Sequence, residues 1–240
     1  MKLLIVRHAD PDYANDTLTD TGWKEAAALA ERMKDIKASE CYVSPLTRAK
    51  ETARLCLDAM GMSATELKWL REFAPVVERP EKRGVAWDWV PSDWMNMPYA
   101  FDPDRWTDQP ALTKAKVREE IDWVYDEFDS FLASHGYKKD GKLFRAVKPN
   151  NDTIVLFCHF GLECVLLSYL LNLPVFVLWH STIAAPTSIT TVVTEERRPG
   201  IAQFRMTSFG DISHLYVAGM NPSFSGRFRE CYTNEDERLD

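Results

Sequence analysis

The sequence predicts an α/β fold: a three-layer α/β/α sandwich with a mainly parallel sheet, an antiparallel edge and an aromatic-rich cap insertion. Three observations predict it. Apolar runs alternate with segments of helical spacing, two β-branched segments bracket a turn late in the chain, and a stretch rich in proline and tryptophan interrupts the alternation. We therefore expect a single domain over residues 1–240, with the cap insertion at about 73–112.

The predicted strands are short apolar segments. The run from Lys2 to Val6 is bounded by charge, which favours a strand that is buried on both faces of a parallel sheet. Cys41–Val43 and Asp152–Cys158 are predicted as further strands, and Leu67–Leu70 is a candidate for another. Because ligands bind outside the carboxyl ends of parallel strands, we expect the functional site at that edge of the sheet.

Helical spacing follows the strands. One helix is predicted to begin at Thr19 or Asp20, because either side chain can cap a first turn. Further helices are predicted over Leu46–Met60, over Thr113–Ser134, and from Gly161 to Leu171 with a loop after it. Thr187–Thr194 and Gln203–Ser208 are rich in β-branched residues and are predicted to pair as a hairpin.

The stretch from residue 73 to about residue 110 contains six prolines and several large aromatic residues. A flexible linker would be polar, whereas these rings must pack on something, so we expect a cap folded over one end of the sheet. Trp87, Trp89 and Trp94 are candidates for contacting a substrate. The alternative is that these rings form the cap's own small core or a dimer contact.

Composition excludes several classes of protein. The net charge of −7 and the absence of a basic window argue against a nucleic-acid partner. The most apolar stretch, Val165–Trp179, is interrupted by polar residues and is shorter than the roughly 20 residues of a membrane helix. The first apolar run is too short for a secretory signal, and the five cysteines form no C-x-x-C pair, so we expect free thiols and a cytoplasmic protein.

Four side chains are predicted to meet at one edge of the sheet. Arg7 and His8 end the first strand, His159 ends a later one, and Arg48 lies early in the helix after the second strand. Such a cationic cluster needs an anion between its members. A phosphoryl group fits, because guanidinium groups donate in pairs to its oxygens and a neutral imidazole is a nucleophile. Since the five histidines show no metal-ligand spacing, neither a metal nor a cofactor is expected.

Four segments, in this order, resemble the motifs of the histidine phosphatase superfamily, the phosphoglycerate mutase-like fold, of the branch 1 type. The segments are Leu4–Asp10 with its Arg-His pair, Leu18–Gly22, Ser44–Ala53, and Cys158–Gly161 with the second histidine. The resemblance spans roughly residues 2–72 and 152–215 and leaves the aromatic insertion outside. It implies that His8 is the nucleophile and becomes phosphohistidine, while Arg7, Arg48 and His159 hold the phosphoryl oxygens.

The resemblance also implies a carboxylic acid that protonates the leaving oxygen. One branch of the family has an aspartate directly after the second histidine, and Phe160 at that position excludes this arrangement. The other branch has a glutamate after the third strand, which matches Glu72, with Glu78 as the nearest substitute. Glu72 could also be a solvated charge beside Arg71.

The resemblance implies a phosphatase of the histidine acid phosphatase type, acting on a small phosphorylated metabolite through phosphohistidine. A phosphoglycerate mutase-like phosphotransferase is the alternative, for which the only second-phosphate set is the loose cluster Arg79, Lys82 and Arg83. A non-catalytic module that binds a phosphorylated ligand is a third hypothesis. The sequence indicates neither the substrate nor the oligomeric state.

Overall fold

The computed structural model describes residues 1–237. Its strands are β1 (Lys2–Arg7), β2 (Pro11–Asp12), β3 (Thr17–Leu18), β4 (Glu40–Val43), β5 (Thr65–Glu66), β6 (Val76–Glu78), β7 (Arg83–Val85), β8 (Tyr137–Asp140), β9 (Leu143–Ala146), β10 (Thr153–Cys158), β11 (Ile189–Arg198) and β12 (Ile201–Asp211). Its helices are α1 (Asp20–Met33), α2 (Thr47–Met60), α3 (Pro91–Trp94), α4 (Pro110–Lys114), α5 (Val117–Ser134), α6 (Phe160–Leu171), α7 (Val175–Ser181) and α8 (Ser213–Val217).

The central sheet has the strand order β5-β4-β10-β1-β11-β12-β9-β8 within the described residues. Strands β5, β4, β10 and β1 run parallel to one another, whereas β11 pairs antiparallel with β1 and β12, β9 and β8 continue the sheet in antiparallel fashion. This confirms the predicted α/β class with its antiparallel edge. The predicted late hairpin is β11–β12, and β8–β9 is a second hairpin that was not predicted.

Strand β1 is buried on both faces, as its apolar run predicted. Leu3 and Ile5 belong to a cluster that contains side chains of α5 and α6, whereas Leu4 and Val6 belong to a second cluster with side chains of α1 and α2. Helices therefore cover both faces of the sheet. Each such side chain contributes about 1.5–3 kcal/mol when fully buried, so the layers fix the position of the strand ends.

The helix starts follow local side-chain chemistry. Thr19 caps α1 as predicted, because its Oγ1 accepts a hydrogen bond from Gly22 N at 2.9 Å. The predicted helix from Thr113 is wrong at its start: α4 ends at Lys114, and Lys116 has a left-handed φ of 57°, so a new helix begins at Val117. Such a backbone breaks the run of i to i−4 hydrogen bonds.

The predicted strand over Leu67–Leu70 is also wrong. The ladder with β4 ends after Glu66, apart from one bond from Leu67 N to Val43 O at 3.0 Å, and residues 68–70 form a 3₁₀ turn. The turn places both Trp69 and Leu70 in the cluster that contains α5 and α6, whereas a strand sends consecutive side chains to opposite faces. The loop predicted after Leu171 is short, because Pro174 leads directly into α7.

The tryptophan-rich segment packs on α7. Trp94 stacks on His180 with ring centroids 5.0 Å apart, and Trp106 stacks on Phe176 at 5.9 Å. Its other regular elements are the short hairpin β6–β7, α3 and a 3₁₀ turn at 106–108. None of the helices described between residues 1 and 237 is long and apolar enough to cross a bilayer.

Candidate active site

Two buried histidines lie side by side at the carboxyl ends of β1 and β10. The parallel register pairs Arg7 with Cys158, so the next residues, His8 and His159, leave the sheet together. Their ring centroids are 5.0 Å apart, and their exposed fractions are 3% and 0%. The structure therefore brings together the two imidazoles that the sequence placed at strand ends.

Hydrogen bonds define the protonation of His8. Its Nδ1 lies 2.7 Å from Ala9 O, and a carbonyl only accepts, so the proton is assigned to Nδ1. The lone pair on Nε2 accepts a hydrogen bond from Arg48 Nε at 3.2 Å. Burial, followed by the charges of Arg7 and Arg48, holds the pKa of His8 well below its usual range. His8 is thus a neutral imidazole with its lone pair directed at a guanidinium.

His159 is oriented by a serine. Ser44 Oγ lies 2.7 Å from His159 Nε2 and accepts a hydrogen bond from Leu46 N at 3.2 Å. If the hydroxyl proton is donated to Nε2, the ring proton of His159 lies on Nδ1, which is buried and has no hydrogen-bond partner among residues 1–237. Burial and then the neighbouring His8 and arginines keep the pKa of His159 well below normal. His159 can therefore donate a hydrogen bond without being charged.

The two arginines border the same histidines. Arg7 is 5% exposed, donates from Nη1 to Ala184 O at 2.5 Å, and lies with Cζ 5.8 Å from the centre of the Phe160 ring. Arg48 lies in the first turn of α2, with Cζ 5.4 Å from the centre of the exposed Tyr13 ring. Two guanidinium groups beside two neutral imidazoles form a site for an anion.

A buried threonine connects the loop after His8 to helix α2. Thr52 Oγ1 accepts from Ala9 N at 2.9 Å and donates to Arg48 O at 2.8 Å. Sequence reasoning assigned no role to Thr52 or to Ser44. Both lie within the segment Ser44–Ala53 that carried the family resemblance, so the motif contained the signal, but only coordinates show which atoms they contact.

Glu72 lies against the first turn of α6. Its Oε1 accepts from Phe73 N at 2.8 Å and from Leu162 N at 3.0 Å, and its Oε2 accepts from Gly161 N at 3.4 Å. Burial raises the pKa of Glu72, although the backbone donors and Arg48 oppose this. The carboxyl therefore lies at the start of the helix that follows His159 and has a raised affinity for a proton.

The alternative acid, Glu78, lies elsewhere. It is exposed on β6 and forms an ion pair with Lys114 at 2.6 Å, which lowers its pKa. The cluster Arg79, Lys82 and Arg83 lies in the same insertion as Glu78, the predicted cap. Arg79 is buried there and donates through Nη1 to Trp87 O at 2.8 Å. Arg79 is therefore engaged by the cap's own backbone.

The three candidate tryptophans have different surroundings. Trp87 lies next to Gly161 and Glu72, because a Cβ built on Gly161 would be 2.4 Å from Trp87 Cη2 and 2.8 Å from Glu72 Oε1. Trp89 is buried and donates from Nε1 to Ala86 O at 3.1 Å, and Trp94 is 2% exposed. The structure brings only Trp87 of these three beside the carboxyl.

No group of three or more histidine, cysteine, aspartate or glutamate side chains that could hold a metal ion occurs in the described part of the chain. The positive charge of the site comes from Arg7 and Arg48. The arrangement consists of an imidazole nitrogen that carries no proton, donors for an anion and a carboxyl group with a raised pKa, which together suit phosphoryl transfer.

Solved structures with this fold include phosphatases. A phosphoserine phosphatase mutant from Entamoeba histolytica, in complex with phosphoserine, is 19% identical, has a TM-score of 0.57, and aligns over 89% of this chain and 98% of its own. A mycobacterial glucosyl-3-phosphoglycerate phosphatase is 18% identical, has a TM-score of 0.56, and aligns over 87% and 98%. At these identities the likeness establishes the fold.

A curated relative is the fructose-2,6-bisphosphatase TIGAR B of Danio rerio. It is 37% identical over a match that covers 27% of this chain and 30% of that protein. The match thus includes less than a third of the relative's length. Both the solved and the curated relatives are phosphatases by name.

A family model adds the decisive comparison, because it covers most of the chain. The model of the histidine phosphatase superfamily (branch 1) matches residues 3–207, a range that contains His8, Arg48, Glu72 and His159. The expected histidine acid phosphatase type is a different branch, and the comparison does not confirm that label. The chain belongs to branch 1 of the histidine phosphatase superfamily.

Proposed function

We propose that this protein hydrolyses the phosphomonoester of a small metabolite in two steps, through a phosphohistidine on His8. The observation that carries the proposal is the state of that ring: Nδ1 is held by Ala9 O, and Nε2 presents its lone pair to Arg48 Nε at 3.2 Å. A nucleophilic imidazole nitrogen must carry no proton, and a nearby positive charge must be able to receive the phosphoryl oxygens.

In the first step, His8 Nε2 attacks phosphorus and the bond to the leaving oxygen breaks. Arg48 moves its hydrogen bond from Nε2 to a phosphoryl oxygen, and Arg7 and the Nδ1 proton of His159 stabilise the charge on the others. Glu72 gives its proton to the leaving oxygen, so that the product departs as an alcohol. Its raised pKa supports this role, because it keeps a carboxyl protonated closer to neutral pH.

In the second step, Glu72 is a carboxylate and takes a proton from water. The water oxygen attacks phosphorus, the bond to Nε2 breaks, and inorganic phosphate leaves with the protonation of Glu72 and His8 restored. Trp87, beside Glu72, would contact the leaving group and so influence the choice of substrate. Trp89 and Trp94 would support the cap from within.

Hydrolysis is favoured over the mutase reaction because Arg79 is engaged inside the cap. A mutase must hold a second phosphate, and Arg79 is a buried member of the cluster that could supply that site. We also propose a cytoplasmic location, which is consistent with the free thiols of Cys41, Cys56, Cys158 and Cys164 in the interior.

The test is phosphate release from a broad panel of phosphomonoesters by wild type and by His8→Ala, without a bisphosphate activator. Wild type should release phosphate, and His8→Ala should lose at least about 1,000-fold in kcat/KM. Brief exposure to a labelled substrate should mark one histidine in wild type only. Turnover by His8→Ala at the wild-type rate would refute the mechanism, and transfer of label between hydroxyl groups would favour the mutase. If the panel gave neither phosphate release nor a labelled histidine, the hypothesis of a non-catalytic binding module would be favoured.

A further inference from the structure

A second carboxyl group lies buried behind the proposed phosphoryl site and has no part in the mechanism above. Glu163 is in the first turn of α6 and is 1% exposed. Its side chain forms a hydrogen bond with Thr190 on β11. Its Oε1 is buried and has no hydrogen-bond partner within residues 1–237.

The fold places this carboxyl close to Arg7. Helix α6 packs on β1, and Thr190 pairs in register with Ile5, which precedes Arg7 by two positions on the same strand. Arg7 favours the ionised form of Glu163 through its charge. An ionised carboxylate without a compensating cation would be costly at this depth, so the charge state of Glu163 depends on how Arg7 is engaged.

Other groups around Glu163 also affect its proton. Glu72, the proposed general acid, disfavours a second negative charge at Glu163. Cys158 on β10 and Cys164 on α6 face the same region, and burial raises the pKa of both thiols well above normal, so they stay neutral. Arg7 is therefore the cation that stabilises the carboxylate, and Glu72 is the anion that opposes it.

We propose that Glu163 is a positioning residue that adjusts the charge around Arg7 and takes up a proton when a tetrahedral dianion binds. The proposal rests on the proposed phosphoryl site. While the site is free of anion, Arg7 stabilises the Glu163 carboxylate. A bound dianion shares the charge of Arg7 and repels the carboxylate, so the carboxyl group becomes protonated and the buried site avoids an additional negative charge.

The protonation of Glu163 on anion binding falls in an accessible pH range. Burial raises the pKa of Glu163 to about 7, although Thr190 and Arg7 oppose the shift. About half of the carboxyl groups are then ionised at pH 7, so their protonation on binding takes up at most about half a proton per site. If the bound state has a pKa about one unit higher, the affinity for the dianion falls about fivefold between pH 6 and pH 8.

Sulfate is a suitable probe because it is a tetrahedral dianion that does not titrate near neutral pH. Calorimetric titration with sulfate at pH 7, in two buffers with different ionisation enthalpies, gives the number of protons taken up. Wild type should take up about 0.4 proton, the value for a one-unit rise in the pKa of Glu163, and Glu163→Gln, which keeps the shape but cannot titrate, should take up almost none. The fivefold fall in sulfate affinity should also disappear in Glu163→Gln.

Two further variants show whether Glu163 or Glu72 takes up the proton. Glu72→Gln should keep most of the proton uptake at pH 7, which assigns it to Glu163. Thr190→Val removes the hydrogen bond to Glu163 and should move the midpoint of the pH dependence upward; it also serves as the test if Glu163→Gln does not fold. Equal uptake by wild type and Glu163→Gln would overturn the inference. If sulfate binds with proton uptake but no phosphomonoester is turned over, only the proposed function is overturned. If phosphomonoesters are turned over but sulfate binding takes up no proton, only the inference about Glu163 is overturned.

Discussion

Gly161 offers a direct test of the packing around Glu72. On helix propensity alone, replacing a helical glycine by alanine stabilises a protein by about 1 kcal/mol. At Gly161, however, the new Cβ would lie 2.4 Å from Trp87 Cη2, 2.5 Å from Trp87 Cζ3 and 2.8 Å from Glu72 Oε1. Favourable carbon contacts are about 3.5–4.0 Å, so Trp87 must move by roughly 1 Å.

Gly161→Ala is therefore expected to lose both stability and activity. Overpacking of this kind costs about 1–3 kcal/mol, which thermal or urea unfolding would measure. The same Cβ also displaces the Glu72 carboxyl, by roughly 0.6 Å, and a misplacement of this order should lower kcat/KM about 10- to 100-fold on the best substrate of the panel. In a Trp87→Ala background the ring that is struck is absent, so Gly161→Ala should cost at least about 1 kcal/mol less there than in wild type. An unchanged or raised stability of Gly161→Ala, with wild-type kcat/KM, would refute this description of the site.

Three other substitutions test separate contacts. Ser44→Ala removes the hydroxyl that orients His159 and should lower kcat about 10- to 100-fold. Because Ser44 is buried, the change should also cost about 1–3 kcal/mol of stability, and activity equal to wild type would contradict the role of Ser44. In wild type, kcat/KM should fall as pH rises through the raised pKa of Glu72, because the general acid loses its proton. Glu72→Gln should be slow and should lack this fall at alkaline pH. If the fall persists in Glu72→Gln, another group is responsible for it. Gly22→Ala places a Cβ 2.2 Å from Asp10 O and should destabilise the fold by about 1–3 kcal/mol in urea titration, whereas a gain would contradict the close approach of α1 to this loop.

The part of the site that could be predicted comes from strand ends. An apolar run is a local property, and once β1 and β10 are taken as parallel neighbours, His8 and His159 must lie close together. The pairing of Ser44 with His159 was not predictable in the same way. It depends on where β4 ends relative to β10, which no local pattern specifies.

The cap shows why the surroundings of individual side chains could not be predicted from the sequence. Trp87 and Trp94 belong to the same composition pattern, yet one lies beside Glu72 and the other stacks on His180 of α7. Their different surroundings come from a long-range contact with α7, a segment for which the sequence predicts a loop. The segment Leu67–Leu70 failed for a related reason, because a short apolar run has the same pattern in a strand and in a buried turn.

The position of β1 between β10 and β11 has a consequence for folding. His8 and His159 belong to segments at opposite ends of a long loop of chain, and closing such a loop is slow compared with forming α1 or α2. A partly folded species can therefore have native helix content and still lack a nucleophile beside its phosphate donors. During refolding, enzymatic turnover should return with the docking of β10 on β1, later than the far-ultraviolet signal of the helices.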